Sequence, residues 1–159
     1  MKFSRNFKTV EGINKLISNL SEDKTIVYTY GAWDLLHPGH VSFIHKASML
    51  GDFLIVATVS DGPIRKLKGN DRPIQCAADR AKVVSSLRFV DAGIIQKEYD
   101  PSEILISLER VNILTKGDDW ENIPGQKTIE KLGGKLVKPK YTVGYSTSDT
   151  VSKMTGKPK

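Results

Sequence analysis

The chain has 159 residues, 39% hydrophobic and 26% charged, with a formal charge of +6. That length suits one domain with a real core, and the composition is that of an ordinary soluble globular protein. No stretch approaches the length of a membrane span, the start Met1-Lys2-Phe3-Ser4-Arg5-Asn6 lacks the apolar run of a secretory signal, and the single cysteine, Cys76, cannot form an internal disulfide, so a reducing, cytoplasmic setting is expected.

Val10, Ile13, Leu16, Ile17 and Leu20 recur at helical spacing and predict an N-terminal helical extension over 1–23. Ile26 to Tyr30 is β-branched and aromatic and reads as a strand. A helix is predicted from about Pro38 to Leu50, with Gly51 as the glycine just past its end. Phe53 to Val59 is a nearly continuous apolar run, as in a strand covered on both faces. Arg65-Lys66-Leu67-Lys68, taken alone, reads equally as a solvated surface loop or as part of a site. Cys76, ahead of Ala77-Ala78, reads as a buried or half-buried small residue rather than a nucleophile.

A helix is predicted over Ala77 to Leu87 and a strand over Ala92 to Ile95. Asp100-Pro101-Ser102-Glu103 is a helix start, with Asp100 as cap, Pro101 in the first turn and Glu103 three residues on. Ile113 to Thr115 is a short strand; a helix from Gln126 to Leu132 stops at Gly133-Gly134; Lys135 to Val137 is the last strand; Ser146 to Met154 is the last helix, and 155–159 reads as a flexible tail. Strands alternating with helices predict parallel βαβ crossovers and a three-layer α/β/α sandwich with a parallel sheet. Ligands of such sheets bind beyond the carboxyl ends of the strands, so function is expected in the loops that follow them.

The positive charge suits an anionic partner. Its basic residues are widely spread, and the two small clusters, Arg65–Lys68 and the C-terminal lysines, carry no interleaved aromatics. A single-strand nucleic-acid surface combines both, so a small phosphorylated partner is expected instead.

The loop after the first strand, Thr29-Tyr30-Gly31-Ala32-Trp33-Asp34-Leu35-Leu36-His37-Pro38-Gly39-His40, holds two of the chain's three histidines. With a helix starting near Pro38, its free N–H groups and positive dipole end face the strand terminus and make an anion site. His37 and His40 add hydrogen-bond donors there, and Gly39 is expected to let the backbone approach a ligand. A zinc site from Asp34, His37 and His40 finds no further Cys or His at a suitable spacing. His45, inside the helix, reads as a surface or core-edge residue.

This His-x-Gly-His element after a first strand resembles the signature of the cytidylyltransferase-like nucleotidyltransferases, a Rossmann-like superfamily. Three further segments match in order: Lys66-Leu67-Lys68-Gly69 with Arg72-Pro73-Ile74 and Arg80, which resembles the loop and helix that hold the acceptor phosphate; Thr115-Lys116-Gly117-Asp118-Asp119-Trp120; and Gly144-Tyr145-Ser146-Thr147-Ser148. The resemblance covers about Lys24 to Met154 and assigns 24–154 as the nucleotidyltransferase domain. It implies transfer of a nucleoside monophosphate from a triphosphate to a phosphorylated small molecule, with loss of pyrophosphate. His37 and His40 would contact the triphosphate, Lys66 or Lys68 would lie near the α-phosphate or the acceptor, and Arg80 would grip the acceptor phosphate. Tyr30, Gly31, Ala32, Trp33, Gly39, Lys116, Gly117, Asp118, Asp119, Trp120 and Tyr145 would line the nucleotide. Ser146 and Thr147 would hold its β- and γ-phosphates. Mg²⁺ would arrive with the triphosphate, and a homodimer is expected from the family; neither nucleic acid nor membrane is.

Two subfamilies compete. Thr29-Tyr30-Gly31 and Gly117-Asp118-Asp119-Trp120 resemble the glycerol-3-phosphate and phosphoethanolamine cytidylyltransferases. The leading helix, the Lys-Gly and Arg-Pro-Ile stretch, and Ile123-Pro124-Gly125 leading to Gly133-Gly134 resemble the heptose 1-phosphate adenylyltransferases. Tyr30 stands where those adenylyltransferases usually carry asparagine, Tyr141 where the glycerol-3-phosphate enzymes carry arginine, and Ala32 replaces a commoner threonine, valine or cysteine. The segment after strand four is expected near the base, which tips the reading toward CTP over ATP, with a phosphorylated polyol or sugar as acceptor. An adenylyltransferase of a cofactor precursor and a non-catalytic nucleotide-binding module are the alternatives.

Overall fold

A computed structural model describes residues 8–118, 121–140 and 144–156. In chain order it contains α1 (Val10–Ile17), β1 (Ile26–Gly31), α2 (Pro38–Ser48), β2 (Phe53–Val59), α3 (Asp61–Lys68), α4 (Ala77–Val84), β3 (Ala92–Gln96), α5 (Ser102–Ser107), β4 (Ile113–Thr115), α6 (Gln126–Lys131), β5 (Lys135–Val137) and α7 (Thr147–Thr155). The five strands form one parallel sheet in the order β3-β2-β1-β4-β5. The chain builds outward from β1 to β3, then returns to the other side of β1 to add β4 and β5. The strand order therefore reverses between the parallel neighbours β1 and β4, which opens a crevice at their carboxyl ends.

Strand periodicity divides the core between two faces. Tyr28, Tyr30, Ile55, Ala57 and Leu114 pack with Ile13 and Ile17 of α1, Ile64 of α3, Leu105 of α5 and Ile129 of α6. Val27, Leu54, Val56 and Ile113, one residue out of step, pack with Ile44 and Ala47 of α2 and Val84 of α4. These are the helix–sheet–helix layers that the alternating elements predict.

α1 is capped by Thr9, whose hydroxyl accepts from Gly12 N at 3.2 Å. It is tied to the end of α5, where Asn14 Nδ2 donates to Ser107 O and Asn14 Oδ1 accepts from Glu109 N. The helix is shorter than predicted: residues 18–20 form turns. The next helix starts one residue later than predicted: Pro101, not Asp100, is the N-cap of α5, and Asp100 Oδ1 accepts from Ser102 N at 2.8 Å just ahead of it. No described helix is long and apolar enough to cross a membrane.

Three expectations change. Arg65 to Lys68 is not a loop but the last turn of α3. Cys76 is exposed, not buried, because it stands at the N-cap of α4 with its thiol facing Asp79 Oδ2 at 3.3 Å. Gly51 is not the terminating glycine of α2, which ends at Ser48, and its backbone is not left-handed. Glycine is required there by close approach: a Cβ would lie 2.6 Å from Thr25 O and 2.7 Å from Val27 Cγ2. Tyr141, Asp119, Trp120 and positions 157–159 of the tail lie outside the described residues.

Overpacking of this kind typically costs about 1–3 kcal/mol. Gly51→Ala is therefore expected to lower unfolding stability by that order in urea titrations. Gly62→Ala in α3, where nothing lies within 4 Å of the added methyl, is expected to raise it by up to about 1 kcal/mol through helix propensity.

Candidate active site

The crevice at the β1/β4 switch is a cleft of about 270 Å³. Its floor is Tyr30 and Gly31 from β1 and Lys116 and Gly117 beyond β4; one wall is the start of α2, and the others are the start of α7 and the segment from Ile64 to Arg72.

The 31–37 loop is held in a costly shape. Trp33 and Leu35, at φ 52° and 48°, are both left-handed, a conformation that costs of order 1 kcal/mol or more for a non-glycine residue. Three anchors impose it. Trp33 Nε1 donates to Ala57 O at 2.8 Å. The buried Asp34 carboxylate accepts from Arg72 Nε at 3.2 Å, Ile74 N at 2.9 Å and Gln75 N at 3.1 Å, and pairs with Arg72 Nη2 at 3.1 Å. Thr147 Oγ1 donates to Asp34 O at 3.0 Å, which brings the start of α7 to the same loop.

This loop delivers His37 to the N-cap of α2, where its Nδ1 accepts from His40 N at 3.4 Å. A neutral imidazole that accepts through Nδ1 carries its proton on Nε2, so His37 offers a donor. The two imidazoles stack at 3.7 Å between centroids. Burial lowers the His37 pKa. Burial first, then the charges of His37 and Lys68, pushes His40 down to about 3. Its Nδ1 is buried with no hydrogen-bond partner among the described residues. Both rings are therefore neutral donors or acceptors near pH 7.

Gly39 is needed here, though for a different neighbour than the sequence suggests. A Cβ would meet Tyr145 Cβ at 2.8 Å and the His37 ring at 3.0 Å. α2 and α7 thus approach each other at their N-terminal ends, and Tyr145 lies along His37 at 6.4 Å between ring centroids. Ser146 caps α7, its hydroxyl accepting from Asp149 N at 3.4 Å, and both Ser146 and Thr147 line the cleft. Two helix N-termini, the positive ends of their dipoles, so face one cavity.

On the floor, Lys116 is buried under the cleft, donates to Tyr30 O at 2.7 Å and sits 4.0 Å from the Tyr30 ring centroid. Tyr30 meets Tyr99 edge-on at 5.9 Å and donates its hydroxyl to Pro124 O. Ala32, Trp33 and Lys68 also reach the cleft.

Three expected residues stand apart. Lys66 and Asp118 are exposed and line no part of it. Arg80 is fully buried. It donates to Gln75 O, Ala32 O, Val59 O and Asp61 Oδ1, so four of its five N–H donors are spent inside the protein. Arg80 welds α4 to the ends of β1 and β2 and presents no fork to a phosphate. Conversely, Arg72, Asp34, Tyr99 and Ser148 line the cleft but were not among the predicted site residues. Arg72 was visible only as part of the Arg-Pro-Ile motif. The described residues contain no group of three or more His, Cys, Asp or Glu that could hold a metal ion, and Asp34 is already committed to Arg72 and two amides.

Comparison with known proteins agrees with this geometry. The chain is 41% identical over 150 residues to the bifunctional protein HldE of Aliarcobacter butzleri, covering 92% of this chain and 30% of that protein. It is 38% identical over 157 residues to HldE of Campylobacter curvus, covering 96% and 32%. The chain thus spans about a third of the length of the curated relatives it matches. Among solved structures it resembles a lipopolysaccharide core biosynthesis protein from Thermoplasma volcanium, with 29% identity, a TM-score of 0.66, and coverage of 75% of this chain and 98% of that one. A pantoate-beta-alanine ligase from Francisella tularensis, at 12% identity and a TM-score of 0.63 over 92% and 72%, shares the fold. The cytidylyltransferase-like family model matches residues 28–151, from inside β1 to inside α7, and the chain accordingly belongs to that family of nucleotidyltransferases.

Proposed function

We propose that the protein is an adenylyltransferase that moves AMP from ATP to a phosphorylated sugar of the heptose 1-phosphate type, releasing pyrophosphate. The observation that carries the choice of nucleotide is the HldE similarity across nearly the whole chain, α1 included. It favours the features shared with heptose 1-phosphate adenylyltransferases over the Gly-Asp-Asp-Trp stretch, which had tipped the sequence toward CTP. The Thermoplasma relative, matched over 98% of its length, is described by a role in lipopolysaccharide core biosynthesis, which supports a sugar acceptor.

The chemistry suits the cleft. An oxygen of the acceptor's phosphate attacks the α-phosphorus, a P–O bond forms, and the bond from the α-phosphorus to the β-bridging oxygen breaks with its electrons leaving on pyrophosphate. The attacking oxygen is already anionic near neutral pH, so no strong base is needed. Catalysis is positioning plus charge stabilisation. The N-termini of α2 and α7, with Ser146 and Thr147, receive the triphosphate. His37 Nε2–H and His40 stabilise charge on the transferring group while remaining neutral. Magnesium belongs to the substrate here, carried on phosphate oxygens and water.

The test is pyrophosphate release from each of ATP, CTP, GTP and UTP with heptose 1-phosphate. Selective release with ATP supports the proposal; release with CTP alone returns the cytidylyltransferase reading, and binding of nucleotide without turnover supports a non-catalytic module. A second expectation concerns His40. Its alanine variant should lose about two to three orders of magnitude in turnover, measured with ATP saturating. Because the folded pKa lies below the unfolded value, the unfolded chain binds a proton first as pH falls. Wild-type stability should therefore decline from about pH 6.5 toward 3, and His40→Ala should flatten that decline; an unchanged slope would mean the ring is not sequestered.

A further inference from the structure

We propose that Trp33 is a positioning residue for catalysis: its indole ring, pinned to β2 through Nε1, fixes the orientation of the His40 imidazole at the start of α2. This deepens the nucleotidyl-transfer reading and rests on it.

No hydrogen bond holds the buried side of the His40 ring. Its Nδ1 is enclosed without a partner among the described residues, so the imidazole takes its orientation from the rings packed around it. One is His37, stacked at 3.7 Å between centroids. The other is Trp33, whose ring stands 5.5 Å away at an interplanar angle of 81°, the edge-to-face arrangement that aromatic quadrupoles favour. His37 is half-buried, whereas Trp33 is buried, so Trp33 is the firmer of the two walls.

Three contacts fix that wall. Trp33 Nε1 donates to Ala57 O at 2.8 Å, which ties the indole to β2. Phe43, one turn beyond His40 in α2, stacks on it at 6.1 Å between centroids. Gly31 leaves the space the ring occupies, since a Cβ there would lie 2.9 Å from both Cε2 and Cζ2 of the indole. The indole has a single N–H, and it is spent on Ala57, so Trp33 has no hydrogen bond to offer a nucleotide. Its backbone is left-handed, at φ 52°, against the preference of a bulky residue. That strain seats the ring between the Ala57 carbonyl and His40. A neutral imidazole stabilises charge on a transferring group only if it is in place before the reaction, and Trp33 supplies that preorganisation.

Trp33→Leu keeps apolar bulk and removes the ring; Trp33→Phe keeps a ring and removes the Nε1 anchor. With ATP and heptose 1-phosphate, Trp33→Leu should lower kcat about ten- to a hundredfold, as a misplaced catalytic group does, and leave both KM values within about twofold. Trp33→Phe should recover at least about threefold of that loss, because an aromatic edge-to-face contact remains possible. In a His40→Ala background, Trp33→Leu should change kcat less than about twofold, since the ring it positions is gone. Losses that multiply in the double variant, a KM for ATP that rises as kcat falls, or equal losses in the Leu and Phe variants overturn the assignment. Nuclear Overhauser contacts between the Trp33 and His40 ring protons test it in the wild-type protein, whether or not Trp33→Leu folds. They should be present with and without ATP, and their absence overturns it. If no nucleotide reacts, the functional reading fails separately, and these contacts still decide whether Trp33 holds the ring.

Discussion

The buried carboxylate of Asp34 is the constraint on which the cleft depends. At 1% exposure it takes an arginine and two backbone amides from the 72–75 loop, while its own carbonyl takes the hydroxyl of Thr147 at the start of α7. One residue therefore joins three segments that are distant in sequence: the β1–α2 loop, the α3–α4 loop and the final helix. The left-handed Trp33 and Leu35 on either side show what this junction costs. Breaking a buried ion pair by removing one partner typically costs about 3–5 kcal/mol, so the junction is well matched to holding two strained residues.

A second buried junction works in parallel. Arg80 ties Ala32, Val59, Asp61 and Gln75 together beneath the cleft, without facing it. The two arginines divide the work by burial. Arg80, with four of its five N–H donors consumed, fixes the backbone, whereas Arg72 is held along one edge by Asp34. In the sequence both belong to one segment of family resemblance, which implies Arg80 as the grip on the acceptor phosphate. Only the hydrogen-bond inventory separates them.

Much of the fold was legible. The β-branched runs of β1 and β2 and the alternation of strands with helices follow from local pattern, and so does the helix start near Asp100-Pro101, within one residue. α3 was missed because Gly62 and Pro63 look like turn residues and only Ile64 is buried. Yet proline in a first turn gives up an N–H that has no partner anyway. The placement of His37 and His40 at the start of α2 was legible because the residue types and the helix start are local. The Asp34–Arg72 pair was not, since it joins residues 38 positions apart. Gly51 shows the same limit: the glycine was noticed, but its reason is the Thr25 carbonyl, which only the fold brings near.

The proposed reaction has the acceptor's own phosphate oxygen displace pyrophosphate at the α-phosphorus of ATP. The most direct measurement is ³¹P NMR of the products formed from ATP and heptose 1-phosphate labelled with ¹⁸O in its phosphate. Displacement by the acceptor's phosphate gives pyrophosphate free of label and a diphosphate-linked nucleotide sugar with label in the bridging oxygen. ADP, orthophosphate or label in pyrophosphate would contradict it.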